Sequence, residues 1–190
     1  MSDTLTSDPW RTRSSRVLLE HERIRIVEDL VTLPTGGETA WLRFEKLQDF
    51  ASVICLRGGE GEREVLVAAQ YNHPVQRAVT EFPGGVVDPG ETPLQTAHRE
   101  LEEETGLRAQ IMTPLGSFLV NPRRTPIQGF VFTAEGFSDG DARLEPEEFI
   151  TLEWLSLPDF EEHLRGDAAV NGNLLAAWAL FRLAAGGSSD

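Results

Sequence analysis

The sequence predicts an α/β protein in which a mixed β-sheet is sandwiched between α-helices, with a small antiparallel sheet ahead of it. Three observations carry this. The runs FASVICLR and REVLVAAQ are apolar, β-branched segments separated by the glycine-rich GGEGE. One amphipathic helix with start and stop signals lies between these strands and a second group of strands. Two further helical segments close the chain. Strands on both sides of an internal helix, with helices again at the end, bury both faces of one sheet.

The elements follow in order. Residues 16–33 are rich in Val, Ile and Leu, with Ile24 and Ile26 alternating against charges, and predict strands. Pro34-Thr35-Gly36-Gly37 predicts a hairpin turn into a third strand at 39–45. We therefore read residues 1–47 as an N-terminal β segment, 48–186 as the main domain and 187–190 as a disordered tail. In the internal helix, Thr92 and Gln95 have the capping-box spacing and Pro93 sits at the first helical position. Leu94, Ala97 and Leu101 form a narrow apolar stripe, and Gly106 can go left-handed to stop the helix. Beyond it, strands are expected near 111–119, 129–134 and 149–155, the last two separated by the polar loop EGFSDGDARLEPEE. Helices are expected at 159–165 and 174–183.

Composition narrows the function classes. The chain of 190 residues suits one well-packed domain with a small appendage. No apolar stretch is long enough to span a bilayer, and the polar start lacks the apolar core of a signal peptide. The single cysteine, Cys55, excludes an internal disulfide and lies in the apolar run VICL, where a buried, inert thiol is expected. A cytoplasmic protein is the expectation. The net charge of −14 repels nucleic acid and anionic membranes, so neither is an expected partner. A phosphate-bearing substrate would be repelled too, so binding must rest on local positive charge. Metal ions can supply part of it and arginine the rest: of seventeen basic residues only Lys46 is lysine.

The run GVVDPGETPLQTAHRELEEETGL, residues 85–107, is the most informative stretch. Helix neighbours lie three and four residues apart, so Glu100 sees both Glu103 and Glu104. Like charges about 4 Å apart repel by roughly 4 kcal/mol at an effective dielectric near 20. These acids also occupy the last helical turn, where the macrodipole already disfavours negative charge. A solvated face is the ordinary explanation of a glutamate run. Placement at the wrong helix end argues against it here, and a bound divalent cation would turn repulsion into attraction. Oxygen-only donors select a hard cation, Mg²⁺ or Mn²⁺, over Zn²⁺.

Gly85, Glu91, Arg99, Glu100, Leu101, Glu103, Glu104, Gly106 and Leu107 stand at fixed spacings in this run. At each of these positions it resembles the Nudix box: Gly, five residues, Glu, seven residues, then Arg-Glu-apolar-x-Glu-Glu-x-Gly-apolar. The resemblance implies an α/β/α Nudix fold and Mg²⁺-dependent hydrolysis of a nucleoside diphosphate joined to another group. It implies that Glu100, Glu103 and Glu104 ligate metal together with the backbone carbonyl of Gly84, and that Arg99 and Glu91 orient them. Arg99 can also pair with Glu103, four residues on. In several family members a loop glutamate activates the water; here Glu145, Glu147 and Glu148 are available, Glu145 and Glu148 ranked first.

Pro122, fifteen residues past Leu107, and the approach QYNHPVQRAVTEFPGG resemble the ADP-ribose pyrophosphatase subgroup. That subgroup usually has Arg where this chain has Asn72, with Arg77 a substitute for it. Arg123 and Arg124 are further candidates to meet a phosphate or ribose. The implied reaction is hydrolysis of ADP-ribose to AMP and ribose 5-phosphate. The alternatives are a hydrolase of a GDP- or UDP-hexose, or a non-catalytic ADP-ribose-sensing module. The subgroup further implies that the N-terminal sheet helps build a homodimer, with Trp10, Trp41 and Phe44 as interface anchors, adenine stackers or core residues.

Overall fold

The computed structural model describes residues 10–59, 61–144, 146, 148–166 and 169–186; the expected tail at 187–190 lies outside them, as do Glu145 and Glu147. The chain divides into two compact units, Met1–Leu47 with Leu119–Ile127, and Gln48–Phe118 with Gln128–Asp190.

The first unit is an antiparallel sheet of β1 (Arg11–Glu20), β2 (Arg25–Thr32) and β3 (Glu38–Glu45), in that order. The expected turn closes β2 onto β3, with Leu33 N–H donating to the Gly37 carbonyl at 2.7 Å. Period-two alternation puts Val27, Asp29 and Val31 on the buried face of β2. Buried Asp29 is satisfied by Ser15 Oγ and by Arg43 Nε, both at 2.6 Å. Loop 119–127 belongs to this unit: Phe44 N–H donates to the Arg124 carbonyl at 2.7 Å, and Trp41 Nε1 to the Arg123 carbonyl at 3.1 Å. β1 is exposed along its whole length.

The second unit holds β4 (Phe50–Arg57), β5 (Glu64–Asn72), a 3₁₀ turn (His73–Val75), β6 (Arg77–Glu81), β7 (Gly84–Val86), α1 (Pro93–Thr105), β8 (Leu107–Leu119), β9 (Gln128–Asp139), β10 (Ile150–Ser156), α2 (Leu157–Arg165) and α3 (Gly172–Gly186). Its seven-stranded sheet runs β10-β5-β4-β9-β8, with β6 also on β5 and β7 also on β4. The sheet is mixed: β4 is parallel to β9 and antiparallel to β5 and β7.

Central strand β4 shows why both faces are covered. Ile54 and Leu56 join Val65, Val67 and Val131 on one side, under Phe160 of α2 and Trp178 and Phe181 of α3. Ala51, Val53 and Cys55 join Leu66, Phe132 and Ala134 on the other, under Ala97 and Leu101 of α1. A strand buried on both faces reads as a continuous apolar run, as FASVICLR does. The result is the expected α/β sandwich. Burial also pushes the Cys55 thiol well above its ordinary pKa, so it is inert.

Three details differ from the expectation. Leu94 is 42% exposed, and Thr96 occupies the buried position beside Ala97 instead. β9 extends to Asp139, through part of the predicted loop. β6 and β7 are short strands bracketing Phe82-Pro83, where glycine and proline masked the strand pattern.

Phe160 is fully buried and contacts the Trp178 ring edge-on at 4.8 Å and Phe82 at 5.7 Å. Phe160→Ala should destabilise the fold by about 3–5 kcal/mol, read as a lower midpoint in urea unfolding.

Candidate active site

The glutamate-bearing end of α1 is fixed by its own sequence. Thr92 accepts from Gln95 N–H and the Gln95 side chain accepts from Thr92 N–H, so the capping box is complete. At the other end Gly106 is left-handed and its N–H reaches the Glu102 carbonyl at 2.8 Å. Ala97 and Leu101 then press this rotationally fixed helix onto the sheet, which aims Glu100, Glu103 and Glu104 toward β7.

On the facing side, Gly84 has φ +151°, and a Cβ there would run into the Ala51 carbonyl on β4. No other residue fits. A Cβ at Gly85 would overlap the Glu100 carboxylate, so that side chain lies directly against bare backbone. Gly84 N–H donates to Glu104 Oε2 at 2.8 Å. Glu104 is only 9% exposed. Burial, aided by the nearby charges of Glu100, Glu148 and Glu81, pushes its carboxyl up to about 8, with the Gly84 bond opposing. Burial raises Glu100 also.

Arg99 organises the remaining charge. Its Nε and Nη2 grip both oxygens of Glu91 at 3.0 Å, a bidentate pair. Nη1 donates to Glu100 at 2.8 Å and to Glu103 at 3.1 Å, and Nη2 also reaches the Val86 carbonyl at 3.2 Å. Arg99, with Thr96 Oγ1 at 2.8 Å, holds the Glu91 carboxyl down at about 2. The expected Arg99–Glu103 pair is therefore present within a larger network.

These residues line a cleft of 240 Å³ bounded by Gly84, Gly85, Val86, Asp88, Arg99, Glu100, Glu103, Arg143 and Glu148. Among the described residues no three acidic, histidine or cysteine side chains are arranged as a ready metal cage. The reason is visible: Glu104 is turned onto Gly84 N–H, while Glu100 and Glu103 share Arg99. Like charges are kept apart by the neutralising groups at hand. The donor set is nonetheless entirely oxygen, Glu104 is buried with no ion pair among the described residues, and Gly84 and Gly85 leave the carboxylates unobstructed. That chemistry fits a hard divalent cation.

The other sequence candidates divide. Glu148 lines the cleft with Glu100 and Glu103, while Glu145 lies outside the described residues. Arg77 lines a different cavity of the same unit, with Asn72, Val79, Leu164 and Asn171. Arg123 and Arg124 lie in the N-terminal unit, their guanidinium carbons 5.4 and 5.6 Å from the Trp41 ring centre. Trp10 meets Trp41 edge-on at 5.1 Å. Sequence reasoning missed Arg143 and Asp88 as cleft residues. Asp88 and Arg143 both lie in aperiodic loops with no local signal.

Comparison with known proteins converges on one family. The NUDIX domain pattern matches residues 46–178. The chain is 34% identical over 135 residues to the ADP-ribose pyrophosphatase of Bacillus subtilis (strain 168), covering 70% of each protein. It is 30% identical over 144 residues to the methanol dehydrogenase activator of Bacillus methanolicus, covering 75% of this chain and 76% of that one. It is 28% identical over 176 residues to a CMP-5'-(N-acetyl-N-hydroxy-3-aminopropyl)phosphonate hydrolase of Streptomyces rubellomurinus, covering 92% of this chain and 83% of that one. A crystal structure described as an ADP compounds hydrolase matches with a TM-score of 0.83 at 16% identity, covering 96% of this chain and 97% of that one; this is a likeness of fold.

The raised Glu104 carboxyl has a consequence for stability. A group protonated up to about 8 in the fold but only to 4.5 when unfolded stabilises the fold fully below 4.5. That contribution is lost as pH rises through 8. Without divalent ions, Glu104→Gln, which retains an acceptor for Gly84 N–H, should therefore gain melting temperature over the parent protein progressively from pH 5 to pH 8. Scanning calorimetry across that range measures it.

Proposed function

The chain belongs to the Nudix hydrolase family, and from that premise we propose that it hydrolyses the diphosphate bond of ADP-ribose, giving AMP and ribose 5-phosphate. The observation that carries the proposal is the cleft that puts Glu100, Glu103 and Glu148 beside the bare backbone of Gly84 and Gly85. The similarity to an ADP-ribose pyrophosphatase at 34% identity supports the choice of substrate. The cation we assign is Mg²⁺, with Mn²⁺ able to replace it.

Glu100, Glu103, Glu104 and the Gly84 carbonyl would hold the metal. When bound, such an ion lowers the pKa of a water and neutralises charge building on the non-bridging diphosphate oxygens. The chain's own residues do the rest. Arg99, locked by Glu91, keeps Glu100 and Glu103 in one place and prevents them from splaying. Glu148, across the cleft, is the residue we assign to accept the proton of the attacking water; Glu145 is the second candidate. The water oxygen bonds to one phosphorus, the bridging P–O bond breaks, and each half leaves as a phosphate monoester. At neutral pH neither monoester needs a proton to leave, so no general acid is called for.

The similarity to a CMP-phosphonate hydrolase, over a longer stretch at 28% identity, favours a second reading in which another nucleotide replaces ADP. Asn72, where the ADP-ribose subgroup usually carries Arg, points the same way. We also propose that the protein is a cytoplasmic homodimer. Support comes from β1, whose Val17, Leu18 and Leu19 are all about half exposed at 54%, 47% and 46%.

Four results are expected. Glu104→Gln should lower kcat by ~10²-fold or more while leaving the fold intact, and excess chelator should abolish turnover until Mg²⁺ is restored. In a panel of nucleoside diphosphate derivatives read by phosphate-monoester release, ADP-ribose should give the highest kcat/KM, and a better CMP, GDP or UDP substrate would replace it. Leu18→Arg with Leu19→Arg should halve the mass seen by light scattering.

A further inference from the structure

We propose that Arg143 binds the substrate, its guanidinium taking a non-bridging oxygen of the diphosphate; this rests on the hydrolase reading above. The cleft lining includes two cations, Arg99 and Arg143. Arg99 has nothing left to give. A guanidinium has five N–H donors, and Arg99 makes five hydrogen bonds, to Glu91 twice, Glu100, Glu103 and the Val86 carbonyl. A diphosphate could engage it only by breaking the network that holds the carboxylates.

Arg143 is the opposite case. Its backbone is pinned: Arg143 N–H donates to the Glu103 carbonyl at 2.8 Å, and Gly140 N–H to the Gly106 carbonyl at 2.7 Å. The position of its Cα is thus set by the helix end that bears Glu103 and Glu104. Its side chain is 72% exposed, and the ion pair found for it, with Asp141, spans 3.9 Å, beyond hydrogen-bond reach. Such a surface pair contributes little. A planar guanidinium on a fixed backbone, at the mouth of an acidic cleft, matches the geometry of a phosphate. The need is real, because a chain of net charge −14 repels a polyanion unless a cation stands at the entrance. Arg77, the sequence-based substitute for the arginine missing at Asn72, lines another cavity of the same unit. Arg143 fills the vacancy from a different direction in the chain.

The test uses inorganic pyrophosphate as the probe, titrated calorimetrically in Ca²⁺ buffer into the full-length protein, Arg143→Ala, Arg143→Lys and Arg77→Ala. Arg143→Ala should weaken binding about tenfold, Arg143→Lys should recover part of it, and Arg77→Ala should match the parent. In turnover assays the same alanine variant should raise KM about tenfold with kcat little changed, the mark of an interaction made equally in ground and transition states. Equal pyrophosphate binding by Arg143→Ala and the parent, or no binding by the parent, overturns the proposal. Failure of the hydrolase reading would look different: the parent protein would bind pyrophosphate in an Arg143-dependent way yet turn over no nucleoside diphosphate.

Discussion

The bidentate pair between Arg99 and Glu91 is the interaction on which the site depends. Without it, Glu100 and Glu103 would be two like charges at the dipole-negative end of a helix, each free to swing into solvent. Glu91 sits ahead of the helix N-terminus, its carboxyl held at about 2 by Arg99 and Thr96. It is therefore a permanent anion that anchors the guanidinium from behind. Anchored in this way, Arg99 presents Nη1 to both metal-candidate carboxylates at 2.8 and 3.1 Å. One arginine thus converts an electrostatically unfavourable helix turn into a pre-organised set of oxygens.

The same logic explains the two adjacent glycines. A carboxylate pressed against backbone must meet no side chain there, and at Gly84 the main chain must also take φ +151° to pass β4. Glu104 pays the largest desolvation penalty of the cluster and receives one backbone N–H in return. A buried acid next to three other carboxyls is a poor choice for stability alone. Its burial and its oxygen donors are both consistent with the metal-binding role proposed for it.

Much of this was legible in the sequence because it is local. The capping box, the left-handed Gly106 and the i, i+3, i+4 spacing of the glutamates are encoded within a few residues of one another, and each has its counterpart in the structure. FASVICLR declared its two-sided burial by having no polar alternation. What could not be read was set by contacts that no periodicity marks, most of them distant in sequence. Thr96 replaces Leu94 at the buried position because its hydroxyl is needed by Glu91, five residues away around the helix start. β6 and β7 form only because β5 and β4 offer edges to them. Loop 119–127 has no sequence mark assigning it to the N-terminal sheet; bonds from the Phe44 N–H and the Trp41 indole N–H to its carbonyls do that.

The cleft is built from two kinds of structure with different mechanical properties. Its floor, Gly84 to Val86 and the end of α1, rests on a core in which Ala51, Val53, Ala97 and Leu101 are at or near zero exposure. Side chains there cannot move without opening the sandwich. Its far wall, with Arg143 and Glu148, comes from a polar segment between β9 and β10 with no large buried side chain among its described residues. Backbone bonds from Gly140 and Arg143 to the end of α1 tether that wall. Segments with few buried contacts open at low free energy, whereas packed strands open only with the whole domain. Holding the proposed metal-binding carboxylates demands the packed floor, and admitting a large, charged substrate demands the loosely packed wall. Placing the clustered carboxylates on the helix and Arg143, the proposed substrate contact, on the tethered loop meets both demands with a single helix end as their common reference point.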